Sequence, residues 1–269
     1  MTQIDISIIT PCYNSGLYLT GAIESVRKYN GKYHYEIILI DDGSTDEYTL
    51  KVLKTLQNED NITLISQKNS GAAAARNAGC HIAKGEYLLF LDSDNKIYPE
   101  YIEEGIDFLK ENTDFGVFYG KPKFIGDGSR YGFDVAEFDI DIIIFRNYVD
   151  MCAVVRKKAF DDACGFDESL KRFQDYDLWL SIYEKNWKFH FVDKKLYEYR
   201  ILENSITGKS ENENLGAQVH AAILYKHYKL VKERLMYIKS QNEKLQKSPE
   251  MRLGKFLLAP LRFVKNKLK

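Results

Sequence analysis

The chain has 269 residues, 45% hydrophobic and 29% charged, with Lys+Arg 38 against Asp+Glu 39 and a formal net charge of -1. That length buries a substantial core, and the composition is that of a globular protein. The near-neutral body gives no electrostatic footing for nucleic acid. In chain order, DISIIT (5–10) reads as a strand, and Leu17, Ala22, Ile23 and Val26 mark an amphipathic helix. YEIILI (35–40) is a second strand, DEYTLKVLKTLQ (46–57) a helix, and NITLIS (61–66) a third strand. The alanine-rich SGAAAARNAGCHIAKG (70–85) is a helix and EYLLFL (86–91) a fourth strand. Short apolar strands alternating with helices predict an α/β fold whose mostly parallel sheet is covered on both faces.

The later half is less regular. FGVFYG (115–120) and DIIIF (141–145) read as strands, QDYDLWLSIYEKN (174–186) as a helix and WKFHFVDKKLYEYR (187–200) as a late strand. A long helix is predicted from Asn212 to Ile238, and no repeat or low-complexity linker interrupts the chain. Cys12, Cys80, Cys152 and Cys164 form no C-x-x-C pair and have no histidine cluster beside them. This argues against a zinc site or disulfide framework and for a reducing compartment. MTQIDISIIT carries no basic segment leading into a long apolar one, and no apolar run is long enough to span a bilayer, so a cytoplasmic location is expected.

Open parallel sheets bind ligands at the carboxyl ends of their strands. The segments there are TPCYNSG (10–16), DDGSTD (41–46), SQKNSG (66–71) and DSDN (92–95), all polar and turn-forming. In DDGSTDE, Ser44 and Glu47 have the spacing of a capping box. Asp41 and Asp42 are not needed for a cap, and a carboxylate there can accept a ribose hydroxyl or a pyrimidine N–H. Gly71 precedes the third helix, and Arg76 inside it either reaches a base or phosphate or faces solvent. Asp92 and Asp94, at i and i+2, point the same way in an extended chain and repel unless a cation lies beside them. Small Ser93 leaves room between them, and Mg2+ or Mn2+ held by Asp94 suits a nucleotide diphosphate. An Asp/Asn turn after a strand is the plainer alternative.

SIITPCYNSGLYLTGAIESV, DDGSTD, QKNSGAAAARNAG, GEYLLFLDSDN and GFDESLKRFQDYDLWL, spread from Ser7 to about Thr207, together resemble the inverting family-two glycosyltransferases with the GT-A fold. The resemblance implies a GT-A, Rossmann-like sheet flanked by helices, with a C-terminal helical extension. Residues 1–238 would form the catalytic domain, with a nucleotide-sugar half at 1–97 and an acceptor half at 98–238. The donor would be a UDP-sugar. Pro11 and Tyr13 would line the base, and Asp42, with Asp41 beside it, would contact uracil or ribose. Gly71 and Arg76 would complete the donor site. Asp92 and Ser93 would support the sugar or ribose, and Asp94 would hold Mg2+ or Mn2+ on the diphosphate. Asp175 corresponds to the family's catalytic base, and Gln174 and Trp179 would contact the acceptor. The acceptor would be a saccharide or lipid-linked saccharide in cell-surface polysaccharide synthesis.

Two positions depart from the pattern: Gln174 stands where relatives commonly have Glu, and Leu202 where a histidine often reaches the metal. They motivate an alternative, a non-catalytic nucleotide-sugar-binding subunit. A sugar nucleotidyltransferase would begin with a glycine-rich basic loop instead of TPCYNSG. The tail, 239–269, ends in MRLGKFLLAPLRFVKNKLK, where Leu253, Leu257, Leu261, Val264 and Leu268 recur at helical spacing among Arg252, Lys255, Arg262, Lys265, Lys267 and Lys269. Such a segment either lies on an anionic membrane, making the protein peripheral on the inner face of the cytoplasmic membrane, or packs on the domain or a partner subunit.

Overall fold

The computed structural model describes residues 3–126, 132–202 and 213–248. Its first half is a regular alternation: β1 (Ile6–Cys12), α1 (Gly16–Arg27), β2 (Tyr35–Asp41), α2 (Glu47–Leu56), β3 (Ile62–Ser66), α3 (Ala72–Ile82) and β4 (Tyr87–Phe90). Side chains alternate across a strand, and the packing follows that period. Ile6 and Ile8 of β1, with Ile37 and Leu39 of β2, face Leu19, Ile23 and Val26 of α1 and Leu53 of α2. Ile9, Ile38 and Ile40 face the opposite way, onto Ala73, Ala75 and Cys80 of α3. Gly79 makes that approach close, since a Cβ there would meet Ile40 Cδ1 at 2.7 Å. Both faces of the sheet are therefore covered, as the uninterrupted apolar strands require.

The second half contains β5 (Lys96–Ile97), α4 (Glu100–Glu111), β6 (Phe115–Gly126), α5 (Ile140–Ile143), β7 (Val154–Arg156), α6 (Lys157–Asp162), α7 (Gln174–Glu184) and β8 (Lys188–Ile201). Helices α8 (Glu213–Lys226) and α9 (Tyr228–Lys247) follow. The eight-stranded sheet has the order β3-β2-β1-β4-β7-β6-β8-β5. Pairing is parallel through β3-β2-β1-β4 and between β6 and β8, and antiparallel at β4-β7, β7-β6 and β8-β5. The expected α/β architecture is present.

Four local expectations change. DIIIF is mostly helix, because Asp139 accepts the Asp141 amide at its start and Ile142 and Ile143 return their amides to the Asp139 carbonyl. A short apolar run fits helix or strand equally, and here the cap decides. Asp46, not Ser44, caps α2, accepting the amides of Tyr48 and Thr49. Asp92–Asn95 is a turn, closed by Asn95 N to Asp92 O at 3.0 Å, not an extended segment. The long C-terminal helix is two helices meeting at His227, whose ring nitrogens lie 3.1 Å from Asp177 Oδ1 and 2.9 Å from Glu184 Oε2. Lys226 joins the same junction, reaching Asp177 Oδ2 at 2.8 Å, while Arg234 grips Asp141 through two bonds of 2.7 and 2.8 Å. Helix α9 runs unbroken across residue 238 to Lys247, and the basic amphipathic segment from Arg252 to Lys269 lies outside the described residues.

Candidate active site

The loops after β1, β2, β3 and β4 are cross-braced at one sheet edge. Asn14, after β1, donates its amide N–H to Ser44 Oγ at 3.0 Å and accepts Thr45 N at 2.8 Å and Asp46 N at 3.1 Å. Ser15 and Ser93 share a hydrogen bond of 2.7 Å, which fixes the turn after β4 against the start of α1. Asp42 is buried, and its carboxylate accepts Gln67 Nε2, Ser70 N and Gly71 N, each at 2.8 Å. Asp42 therefore organises the β3–α3 loop, a structural task the sequence did not disclose. Asp41 is also buried and accepts Ser44 N at 2.9 Å. Pro11 lies near the end of β1, paired with Ile40, and Tyr13 follows the strand, 51% exposed. Gly71 caps α3 at φ 95°, a backbone conformation that favours glycine, with open space where a Cβ would stand.

Beneath this edge runs a cleft of about 540 Å³ between the donor-side loops and the segments 147–150 and 168–175. Arg76, on α3, spans it. The buried guanidinium donates to Asp92 Oδ1 at 2.6 Å and reaches Gln174 Oε1 at 3.4 Å, so it does not face solvent, while its Nε has no hydrogen-bond partner among the described residues. Gln174 also donates Nε2 to the Leu170 carbonyl at 3.0 Å. Asp175 follows in the first turn of α7. Phe173, which precedes that helix, sits at φ 57°, ψ 31°, a left-handed conformation costing about 1–2 kcal/mol for a bulky residue. The kink turns Gln174 and Asp175 into the cleft.

Asp175 Oδ2 accepts Asn147 Nδ2 at 2.7 Å, and Asn147 Oδ1 is held by Val149 N at 3.1 Å, which fixes which end of the amide faces the acid. Burial raises the proton affinity of Asp175, while the Tyr176 amide, Arg76 and Asn147 pull it back. Burial and then Asp92 push Asp94 up to about 6. Arg200 sits beside Asp94, donating Nε to its carbonyl at 3.1 Å and lying over the Tyr18 ring. Burial and then Asp92 push Asp150 up to about 7, with Asp175 adding to the effect. Tyr199 lines the cleft with Asp150 and Asp175 and is raised by burial and then by the charges of Asp150, Asp92, Asp94 and Asp175.

Trp179 is the residue the structure removes from the site. It is fully buried, and its indole donates to the Val149 carbonyl at 3.0 Å, so it supports the 147–150 segment from the core and offers no surface to an acceptor. Asn147 and Asp150 are cleft residues that sequence reasoning missed, since neither lies in a periodic element or a motif.

Among the described residues, no group of three or more His, Cys, Asp or Glu side chains is arranged to hold a metal. Mg2+ commonly takes one or two carboxylates and completes its shell with phosphate oxygens and water. Asp94, a half-buried acid with a like charge beside it, fits such an ion brought in on a diphosphate. Leu202 supplies no ligand.

The model of glycosyl transferase family 2 matches residues 7–163. The chain belongs to that family. Among family-2 relatives, the putative teichuronic acid biosynthesis glycosyltransferase TuaG of Bacillus subtilis is 30% identical over 207 residues, 75% of this chain and 81% of TuaG. An uncharacterized glycosyltransferase of Rickettsia felis is 32% identical over 213 residues, 77% of this chain. The chain spans 35% of the length of that protein and of its Rickettsia conorii counterpart. S. aureus TarS 1–349 in complex with UDP-GlcNAc superposes with a TM-score of 0.69 at 22% identity, covering 93% of this chain and 78% of that one. It shows a shared fold. Among the described residues no helix is long and apolar enough to cross a membrane.

Proposed function

We propose that this family-2 domain transfers a sugar from a UDP-sugar to a hydroxyl of a saccharide or lipid-linked acceptor, with inversion at the anomeric carbon, in cell-surface polysaccharide synthesis. The observation that carries this reading is Arg76. It bonds both Asp92, in the turn after β4, and Gln174, beside Asp175 at the start of α7, so the two acid-bearing segments meet at one side chain. The UDP complex of TarS and the teichuronic acid assignment of TuaG support the donor and the pathway class.

Asp175 is the base. The acceptor oxygen attacks the anomeric carbon as the bond from that carbon to the diphosphate oxygen breaks, and the acceptor proton passes to Asp175. Asn147 holds one carboxylate oxygen and helps keep the group ionised despite its burial. Pro11, Tyr13 and Asp41 line the base and ribose end, and Gly71 opens the floor for the donor. Mg2+ or Mn2+ at Asp94, when bound, would neutralise charge on the departing diphosphate. Gln174, already bonded to Leu170 and Arg76, adds no charge beside Asp175 where relatives commonly carry a further acid. The basic tail would dock the enzyme on an anionic membrane.

A panel of UDP-glucose, UDP-galactose and UDP-N-acetylglucosamine, with Mn2+ and without acceptor, tests the reading. Slow UDP release from at least one sugar is expected. UDP binding without any release, followed by no transfer to added saccharides, would leave a binding subunit instead.

A further inference from the structure

Asp150 has a place in the cleft that no motif assigns. The segment carrying it is held at every step. Asn147 binds Asp175, the Val149 carbonyl accepts the Trp179 indole at 3.0 Å, and the Cys152 carbonyl accepts Tyr101 Oη at 2.6 Å. Asp150 Oδ1 accepts Cys152 N at 3.0 Å, closing an Asx turn. That turn needs a single acceptor oxygen, which asparagine or serine would supply without charge. An acid is present instead, in a setting where burial, Asp92 and Asp175 work against its ionisation and the Cys152 amide only partly offsets them. A rigidly mounted acid held against its own electrostatics is a mark of a ligand-binding position.

Its position also says which ligand. Asp150 lines the cleft with Asp175 and Arg76, and Arg76 in turn holds Asp92 of the turn after β4 at 2.6 Å, so the acid stands where the two sides meet. Resting on the proposed UDP-sugar reading, the group that must occupy this gap is the sugar ring in transfer. We propose that Asp150 hydrogen-bonds ring hydroxyls of that sugar, and that the acids around it select an uncharged hexose or N-acetylhexosamine over a uronate. A donor carboxylate there would meet Asp150 and Asp175, where like charges repel, and the neighbouring Arg76 is already paired with Asp92.

The test compares UDP, UDP-glucose, UDP-N-acetylglucosamine and UDP-glucuronate binding to the full chain by calorimetry with Mn2+. Asp150→Ala should weaken the better-bound uncharged UDP-sugar by about 10-fold while UDP changes less than about 3-fold. The wild type should bind UDP-glucuronate about 10-fold more weakly than UDP-glucose, and Asp150→Asn should narrow that gap. Asp150→Asn keeps the oxygen that accepts Cys152 N, so it preserves the turn if the alanine variant fails to fold. Equal loss for UDP and UDP-sugars, or wild-type UDP-glucuronate binding as tight as UDP-glucose, overturns the role of Asp150 and leaves the UDP-sugar reading standing. Failure of the wild type to bind UDP overturns both.

Discussion

The two walls of the cleft are built differently. The wall built from the loops after β1 to β4 is stitched by hydrogen bonds: Asp42 accepts from Gln67, Ser70 and Gly71, Asn14 fastens the next loop, and Asp92 is paired with Arg76. The acceptor-side wall holds Asp150 and Asp175 where burial disfavours their charge, with Asn147 and Arg76 moderating Asp175. Carboxylates engaged by loop amides or a guanidinium hold loops in shape. Carboxylates kept short of neutralisation are available for proton transfer and substrate contact.

Removing the side chain that joins the walls breaks the comparison most severely. Arg76→Met leaves Asp92 without its cation and Gln174 without its donor partner, and should cut UDP release by about 100-fold with a lower Tm. Turnover and melting at wild-type values would show that the walls do not depend on this bridge.

Asn147→Ala sharpens the same contrast with a smaller effect, about 10-fold in kcat. Its signature is pH dependence. A base works deprotonated, so activity falls as pH drops through its pKa. Asn147 favours the ionised Asp175, so removing it raises that pKa and moves the acidic limb of the kcat profile to higher pH. A lower kcat with an unmoved limb would reduce Asn147 to a packing role.

Much of the donor wall was legible in the sequence because strand, loop and helix there are consecutive and periodic, so the rule for strand ends gathers the four loops at one edge. What those loops do internally was not legible. Asp42 is consumed by amides up to 29 residues away, and Asp46 took the cap expected of Ser44. The acceptor wall resisted more. Ile140–Ile143 has no period that separates helix from strand, and Trp179 looked available until its burial and its bond to Val149 were visible. Asn147 and Asp150 gain meaning only when the chain brings α7 and the end of β4 to the same cavity.

The proposed transfer requires the carboxylate at the head of α7 to take a proton that the nucleotide-binding side never handles. The most direct measurement pairs UDP calorimetry with UDP release for Asp175→Asn. The amide keeps the shape of the side chain, so UDP affinity should stay within about 3-fold while release falls by about 1,000-fold. Release at the wild-type rate with UDP bound as before would contradict the account.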